Sequence, residues 1–382
     1  MSHILTLNAG SSSIKFSVFD KDLERCLSGQ VERLGPDAQL RVRHGDLRDH
    51  KSLGPTDHAK AVSAILDVLS ERLKGQTISG IGHRITHGGL DFTGPCELTE
   101  DALERLARLI PLAPLHQPHN LAAVAAARAA FPEAKQIGCF DTAFHRKHPF
   151  VNDTFALPRK YYDKGVRRYG FHGLSYDYIT DHLETLRPDL AHGRVIVAHL
   201  GNGASMCAVK NGCSIGSTMG FSALDGLPMG TRCGQLDPGV LLYLMNEEGM
   251  DGDAISDLLY KESGLKGLSG ISHDMRDLLA SDTVEAKQAI DYYVFRIRRE
   301  IGGMVAVLGG LDALIFCGGI GENAPEIRRR VTTDMGWLGL DLNDEANRAN
   351  AVDIGNGLPE ILVIPTSEAT IMAQATAKLI NG

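Results

Sequence analysis

LTLNAGSSSIKFSVFD, residues 5–20, decides the fold. Leu5 and Leu7 alternate with polar positions, and Ile14, Phe16, Val18 and Phe19 resume an apolar pattern after a turn, which predicts two strands joined tightly. The turn Asn8-Ala9-Gly10-Ser11-Ser12-Ser13 carries only small side chains, so its backbone N–H groups and hydroxyls can point at an anion. Lys15 adds a positive charge just past it. A polar hairpin turn of this kind is common by itself. Residues 194–210, RVIVAHLGNGASMCAVK, repeat the design: an apolar strand through His199 and Leu200, then Gly201-Asn202-Gly203-Ala204-Ser205, then Met206 and Ala208 alternating on a second strand. Two such units predict a duplicated domain with two phosphate loops facing across a cleft.

The composition sets limits around that reading. A chain of 382 residues is long for one core, so two domains are expected. Charged residues at 23% and hydrophobic ones at 43% are an ordinary globular balance. A net charge of −8 with no dense Lys/Arg stripe argues against nucleic acid as a partner. Arg328-Arg329-Arg330 is the longest basic run and reads as a solvated helix face. The chain enters a strand at once, without a charged-then-apolar leader, and residues 302–316 are too short and interrupted to span a bilayer. Seven cysteines without a C-x-x-C pair fit reduced thiols in a cytoplasmic protein, most of them small core residues.

Going along the chain, residues 25–49 predict further antiparallel strands up to a turn at Gly54-Pro55. Asp57 then caps a helix through Leu73, with Ala61, Ile65, Val68 and Leu69 on one face. A buried strand over 78–85 delivers His83-Arg84-Ile85-Thr86-His87-Gly88-Gly89; an arginine at a strand end beside glycines suits a ligand approaching the backbone. His83 and His87 lie on a strand, so they do not share a face as zinc-protease histidines do, and read as structural. Helices follow over 99–110 and 116–131, and a strand over 135–139 ends in Phe140-Asp141-Thr142. Asp141 is either a ligand-side acid at a strand end or the cap of the next helix. Residues 145–160 mark the passage to the second domain. There, Arg168-Tyr169-Gly170-Phe171-His172-Gly173 precedes a helix over 175–186, and residues 220–238 form a long loop with Arg232. Helices are predicted over 240–248, 254–261 and 284–308, with His273-Asp274-Met275-Arg276 between them. A strand over 312–317 runs into Gly318-Gly319-Ile320-Gly321-Glu322-Asn323, a backbone approach to a nucleotide's sugar or α-phosphate. A last strand over 361–364 precedes a helix starting at Glu368.

Small-residue loops, two arginines in glycine-flanked settings and carboxylates near strand ends are the equipment of phosphoryl transfer. No G-x-x-x-x-G-K-S/T loop or protein-kinase catalytic loop is present.

NAGSSSIKF, HRITHGG, CFDTAFH, RRYGFHGLS, HLGNGAS, MGTRCGQLDP, HDMRD, GGIGEN and TSEAT together resemble, in this order, the acetate kinase family, over essentially the whole chain. The resemblance implies an α/β chain with the duplicated actin-like ATPase fold (acetate and sugar kinase/Hsp70/actin), two domains and an interdomain nucleotide cleft. Residues 1–147 plus 368–382 would be the substrate-side domain and 148–367 the nucleotide-binding one. It implies reversible transfer between ATP and acetate, with Mg²⁺ or Mn²⁺ as cofactor, ATP/ADP as co-substrate, and a cytoplasmic homodimer that engages neither membrane nor nucleic acid.

By the same resemblance, Asn8, Ser11, Ser13 and Lys15 form the first phosphate loop, and His199, Leu200, Gly201, Asn202 and Gly203 the second. Asp274, Met275, Arg276, Gly319, Ile320, Gly321, Glu322 and Asn323 are nucleotide contacts. Glu368 with Asn8 anchors the metal, and Asp141 supports the metal or orients the substrate. Arg84 and Arg232 grip the carboxylate and the migrating phosphoryl, and His172 donates a hydrogen bond in the transition state. Thr86, Leu115, Phe171 and Ala223 make the acyl pocket; Thr86 stands where valine is common and Ala223 where proline is usual, which keeps propionate in play as a substrate. A carboxylate nucleophile is already ionised at neutral pH and needs no general base; its difficulty is approaching a polyanion. The alternative of another class is a non-catalytic ATP-driven switch on the same fold. A sugar kinase fits less well, since it needs an aspartate base and a polar pocket.

Overall fold

The computed structural model describes residues 2–10, 13–73 and 75–381, and the chain divides into two compact units, Met1–Arg146 with Ser367–Gly382, and Lys147–Thr366. In the first unit the opening stretch is the strand pair β1 (Ser2–Ala9) and β2 (Ser13–Phe19), antiparallel, with Asn8 opposite Lys15. β3 (Arg25–Glu32), β4 (Gly35–His44) and β5 (Leu47–Thr56) continue the meander. The Gly54-Pro55 dipeptide predicted as a turn lies inside β5 instead, at an outermost strand where a proline's missing N–H costs no ladder bond. β6 (Thr77–Ile85) pairs parallel with β1, β7 (Cys96–Glu97) is a short edge, and β8 (Lys135–Phe140) pairs parallel with β6.

The second unit repeats the scheme. β9 (Arg194–Leu200), β10 (Ala204–Lys210) and β11 (Cys213–Ser217) are antiparallel, while β12 (Ala313–Cys317) and β13 (Glu360–Val363) run parallel to β9. The orders β3-β2-β1-β6-β8 and β11-β10-β9-β12-β13 are the same order with the same strand directions. The duplication read from two loops is therefore a duplication of a five-stranded sheet, to which the first unit adds β4, β5 and β7.

Each unit has its own core. In β1 the neighbours Ile4 and Leu5 face opposite sides of the sheet. Leu5 and Leu7 pack with Ala61, Val62, Ile65 and Leu69 of the helix His58–Arg72, capped by Asp57, and with Ala123 and Ala127 of the helix Gln117–Ala130. Ile4 packs with Phe19 and Ala373 of the C-terminal helix Glu368–Asn381. That helix lies close on β6 because β6 has glycine where it crosses: a Cβ on Gly82 would sit 2.6 Å from Thr376 Oγ1. The close approach is what brings Glu368 to the end of β6. In the second unit the helix Val284–Leu308 supplies Ala289, Tyr293, Ile297 and Ile301 to a core with β9, β10 and β12.

Three local expectations are corrected. Arg328, in the helix Pro325–Thr332, is fully buried rather than solvated. Gly318–Asn323 is itself a helical turn starting directly at the end of β12. Only Cys139, Cys207 and Cys317 are buried; the other four cysteines are half-buried, and none of the seven joins a disulfide.

Candidate active site

Three strand ends of the first unit converge, as parallel sheets arrange at their carboxyl edges. Asn8 is near the end of β1, Arg84 near the end of β6, and Asp141 directly follows β8. Arg84 Nε lies 3.0 Å and 3.1 Å from the two Asp141 carboxylate oxygens, and Nη2 donates to Oδ2 at 2.6 Å. This is the two-pronged guanidinium–carboxylate fit. The alternative reading of Asp141 as a helix cap falls away, since its carboxylate holds Arg84. Locked on that side, Arg84 turns Nη1 to Asn8 Oδ1 at 3.1 Å, while Asn8 Nδ2 donates to Glu368 Oε2 at 2.9 Å. The two bonds fix which way the Asn8 amide faces. Glu368 Oε2 also lies 3.8 Å from Arg84 Nε.

Burial opposes the charge on Arg84, but Asp141 and Glu368 together carry its pKa upward, so it stays a cation. Burial likewise pushes the Asp141 carboxyl up, against the pull of Arg84. Lys15 is exposed on the strand opposite Asn8. Ser13 begins β2, its carbonyl accepting from the Gly10 N–H at 2.8 Å; Ser11 lies outside the described residues. Thr86 is buried and Leu115 half-buried in this same unit.

Asn120 gave no signal in the sequence, being one asparagine in an alanine-rich helix. Its Nδ2 donates to the Ala9 carbonyl at 2.7 Å and its Oδ1 accepts from the Thr86 N–H at 2.9 Å, so it ties the first loop to the Arg84 strand. His58 does a similar service from the other helix, with Nε2 2.7 Å from the Gly10 carbonyl and its ring stacked on His119. His83 hydrogen-bonds Gln136 at 2.8 Å, and burial lowers its pKa to about 4, consistent with a structural imidazole.

In the second unit the loop after β9 is the centre. A Cβ on Gly203 would meet His172 Nε2 at 3.3 Å and Arg232 Nη1 at 3.9 Å, so glycine leaves room where an imidazole and a guanidinium converge. Arg232 Nη1 donates to the Ala223 carbonyl at 3.2 Å. Ala223 therefore positions this arginine through its backbone, whatever its side chain does. Arg168 braces the same long loop through Asp225 at 2.9 Å. Phe171 is buried in the core beside it. His172 sits in left-handed backbone (φ 57°) at the start of the helix Gly173–Leu186, its ring stacked on His199 at 4.4 Å. His199 Nδ1 lies 2.8 Å from Ser175 Oγ. Asn202 contacts the long loop through its carbonyl, which accepts from the Gly230 N–H at 3.0 Å. Leu200 is wholly buried.

The helical turn Gly318–Asn323 stands beside this loop, the Leu200 carbonyl being 2.8 Å from where a Gly318 Cβ would be. Glu322 Oε1 accepts from the Gly318 and Thr366 N–H groups at 2.9 Å and 3.1 Å, and Asn323 Nδ2 donates to the Gly319 carbonyl at 3.0 Å. Both side chains hold the turn, while Gly319, Ile320 and Gly321 form its body. Met275 places its side chain in the core. Asp274 caps the helix Met275–Leu279, and its hydrogen bonds from the exposed Arg276 hold its pKa down to about 2.

Loops of small residues beside fixed cations, on a twice-used α/β sheet, define a kinase whose acceptor is itself an anion. Comparison with known proteins agrees. The Acetokinase family profile matches residues 3–374. The acetate kinase of Methylocella silvestris is 52% identical over 99% of this chain and 98% of its own, and that of Nitrobacter hamburgensis 47% identical over 100% and 96%. Among solved structures, a propionate kinase from Francisella tularensis superposes with a TM-score of 0.94 at 34% identity, covering 99% of this chain and 100% of its own. The Porphyromonas gingivalis acetate kinase superposes with a TM-score of 0.89 at 36% identity, covering 100% of both chains. The chain belongs to the acetokinase family. It is an enzyme, a phosphotransferase that uses ATP and has a carboxyl group as acceptor, and the switch reading falls with that. Among the described residues no helix is long and apolar enough to cross a membrane.

Proposed function

We propose that the chain catalyses reversible in-line transfer of a phosphoryl group between ATP and acetate, giving acetyl phosphate and ADP. One observation carries the reading: Arg84 is a half-buried cation oriented by the buried Asp141 at the end of β6, beside Asn8 of the first phosphate loop. A cation so fixed loses no reorganisation energy when it meets an anionic acceptor. The first unit then serves the carboxylate and the second the nucleotide. Arg84 and Arg232 neutralise the carboxylate and the moving phosphoryl, His172 donates to it, and Asp141 acts by orienting Arg84. Asn8, Ser11, Ser13 and Lys15, with His199, Asn202 and Gly203, are the phosphate contacts. Gly319, Ile320 and Gly321, with Asp274 and Arg276, face the adenosine, while Met275, Glu322 and Asn323 serve by shaping those segments.

The donor set suits Mg²⁺. Glu368 is a partly exposed carboxylate already oriented by Asn8, and among the described residues no group of three His, Cys, Asp or Glu side chains competes for a softer metal. Mg²⁺ is commonly held by one or two carboxylates together with substrate phosphates. Glu368 would hold it, with Asn8 as its neighbour, and when bound it neutralises phosphate charge.

Acetate is favoured because the curated relatives at 52% and 47% identity are named for it. Propionate is the second reading, favoured by the Francisella tularensis neighbour and by alanine at position 223, where the family resemblance leads one to expect proline. The test is acyl hydroxamate formation from ATP, carboxylate and hydroxylamine, with kcat/KM compared for acetate, propionate and butyrate. Acetate should lead propionate by roughly 10-fold or more, the discrimination available from one methylene. EDTA should abolish the signal and Mg²⁺ restore it. Absence of hydroxamate with all three acids overturns the function; a propionate lead overturns the substrate.

A cytoplasmic homodimer belongs to the same reading. None of the seven cysteines joins a disulfide, and the helix Pro238–Asn246 exposes Val240, Leu242, Tyr243 and Met245 together. Such a patch marks an interaction surface. Sedimentation equilibrium should give twice the chain mass of 41.2 kDa, and Leu242→Glu should shift it to the monomer. A wild-type chain that stays at one chain mass at micromolar concentration refutes the dimer.

A further inference from the structure

We propose that Tyr176 and Ser205 are positioning residues of the transfer reaction, two buried hydroxyls in series that fix His172 as the tautomer with its proton on Nε2. His172 Nδ1 lies 2.8 Å from Ser205 Oγ, and the Tyr176 hydroxyl is hydrogen-bonded to the same Oγ. Tyr176 and Ser205 are both wholly buried. The geometry follows from the chain. Tyr176, in the first turn of the helix Gly173–Leu186, donates its backbone N–H to the His172 carbonyl at 3.2 Å, which holds the two residues one turn apart. Ser205 is the second residue of β10, directly after the loop that carries Gly203.

The order of donation follows from chemistry. A phenol is a stronger donor than an alkyl hydroxyl and a poorer acceptor, because its oxygen lone pair conjugates with the ring. Burial pushes the Tyr176 pKa well above its ordinary value, so its proton is retained. Tyr176 therefore donates to Ser205 Oγ, and Ser205 Oγ–H donates to His172 Nδ1. A nitrogen that accepts carries no proton, so the neutral ring has its N–H at Nε2. That is the atom facing Gly203 beside Arg232 Nη1. The opposite tautomer would aim a lone pair at an incoming phosphoryl oxygen. The left-handed backbone at His172, a conformation that costs about 1 kcal/mol or more for a non-glycine residue, is consistent with a ring held in place by its surroundings.

The inference rests on the proposed role of His172 as hydrogen-bond donor, and the test separates the two. Tyr176→Phe, nearly isosteric, should lower kcat about 10-fold, the scale for losing a partner that orients a functional histidine, with both KM values within about 2-fold. Ser205→Ala should do at least as much. In a His172→Ala background Tyr176→Phe should change kcat less than about 2-fold, because contributions made through one group do not add. Histidine ¹⁵N spectra of the full chain read the proton position directly. The wild type should show an acceptor-type Nδ1 and a protonated Nε2 at His172, and Tyr176→Phe should shift both towards a mixture. Wild-type turnover in His172→Ala would refute the donor role while leaving the tautomer measurement standing. A proton on Nδ1 in the wild type, or an equal loss from Tyr176→Phe with and without His172, would refute the relay.

Discussion

Arg84→Ala is expected to lower kcat by about 10³-fold or more, the scale seen when a cation on a transferring phosphoryl is removed. The KM for ATP should change only a few-fold, because the segments proposed to face the adenosine belong to the other unit. Part of the loss in this variant would be structural. Asp141 is only 1% exposed, and without Arg84 it becomes a buried charge with its main partner gone, which costs about 3–5 kcal/mol where such pairs have been broken. Arg84→Lys isolates the chemistry. It keeps a cation beside Asp141, so folding should recover, but a single ammonium cannot bind Asp141 with one edge and present another nitrogen to Asn8. Turnover should therefore stay about 10²-fold down in a protein that melts near the wild type. Steady-state kinetics and thermal melts of both variants check this. Near-wild-type turnover in either removes Arg84 from the mechanism.

Much of this site was legible in the sequence because it is made of backbone and strand ends. The two small-residue loops, Arg84 and Asp141 at strand ends, and Arg232 in a glycine-rich loop each announce themselves by local pattern. What the sequence could not give was the fastening between distant segments. Asn120 joins Ala9, 111 residues away, to Thr86, 34 residues away, and its helix has the composition of any buried helix. Ser205 looks like one more small residue after a glycine loop, yet it links a tyrosine to a histidine. Gly82 reads as a weak spot in a strand until the last helix is seen lying on it. Local pattern also misled at Arg328, since a triple-arginine run on a helix presents three directions about 100° apart, and only some can be solvated.

Arg328→Met is the second variant from which a large effect is expected. The guanidinium is fully buried, and its five hydrogen bonds all go to neutral oxygens. Nε donates to Asn347 Oδ1 at 2.8 Å and Nη2 to the Asn347 carbonyl at 2.7 Å and Asn350 Oδ1 at 2.6 Å. Nη1 donates to the carbonyls of Gly321 and Glu322 at 2.8 Å and 3.0 Å. Burial draws its pKa down to about 10, which still leaves it charged at neutral pH. Methionine fills most of the volume but abandons these acceptors, each costing about 1–3 kcal/mol when left without a donor. Neighbouring groups will relax, so a net loss of about 3–5 kcal/mol is expected in the second unit. Gly321 and Glu322 lie in the turn proposed to meet the adenosine, so the damage should reach the ligand: the Kd for ADP should rise about 10-fold or more, while acetate binding is spared. Arg328→Lys, able to reach only part of the same acceptor set, should fall between. Calorimetric unfolding and ADP titration measure the two effects separately. A methionine variant with the wild-type melting profile and ADP affinity would mean that the turn holds its shape without this arginine, leaving Glu322, through the Gly318 and Thr366 amides, as its chief support.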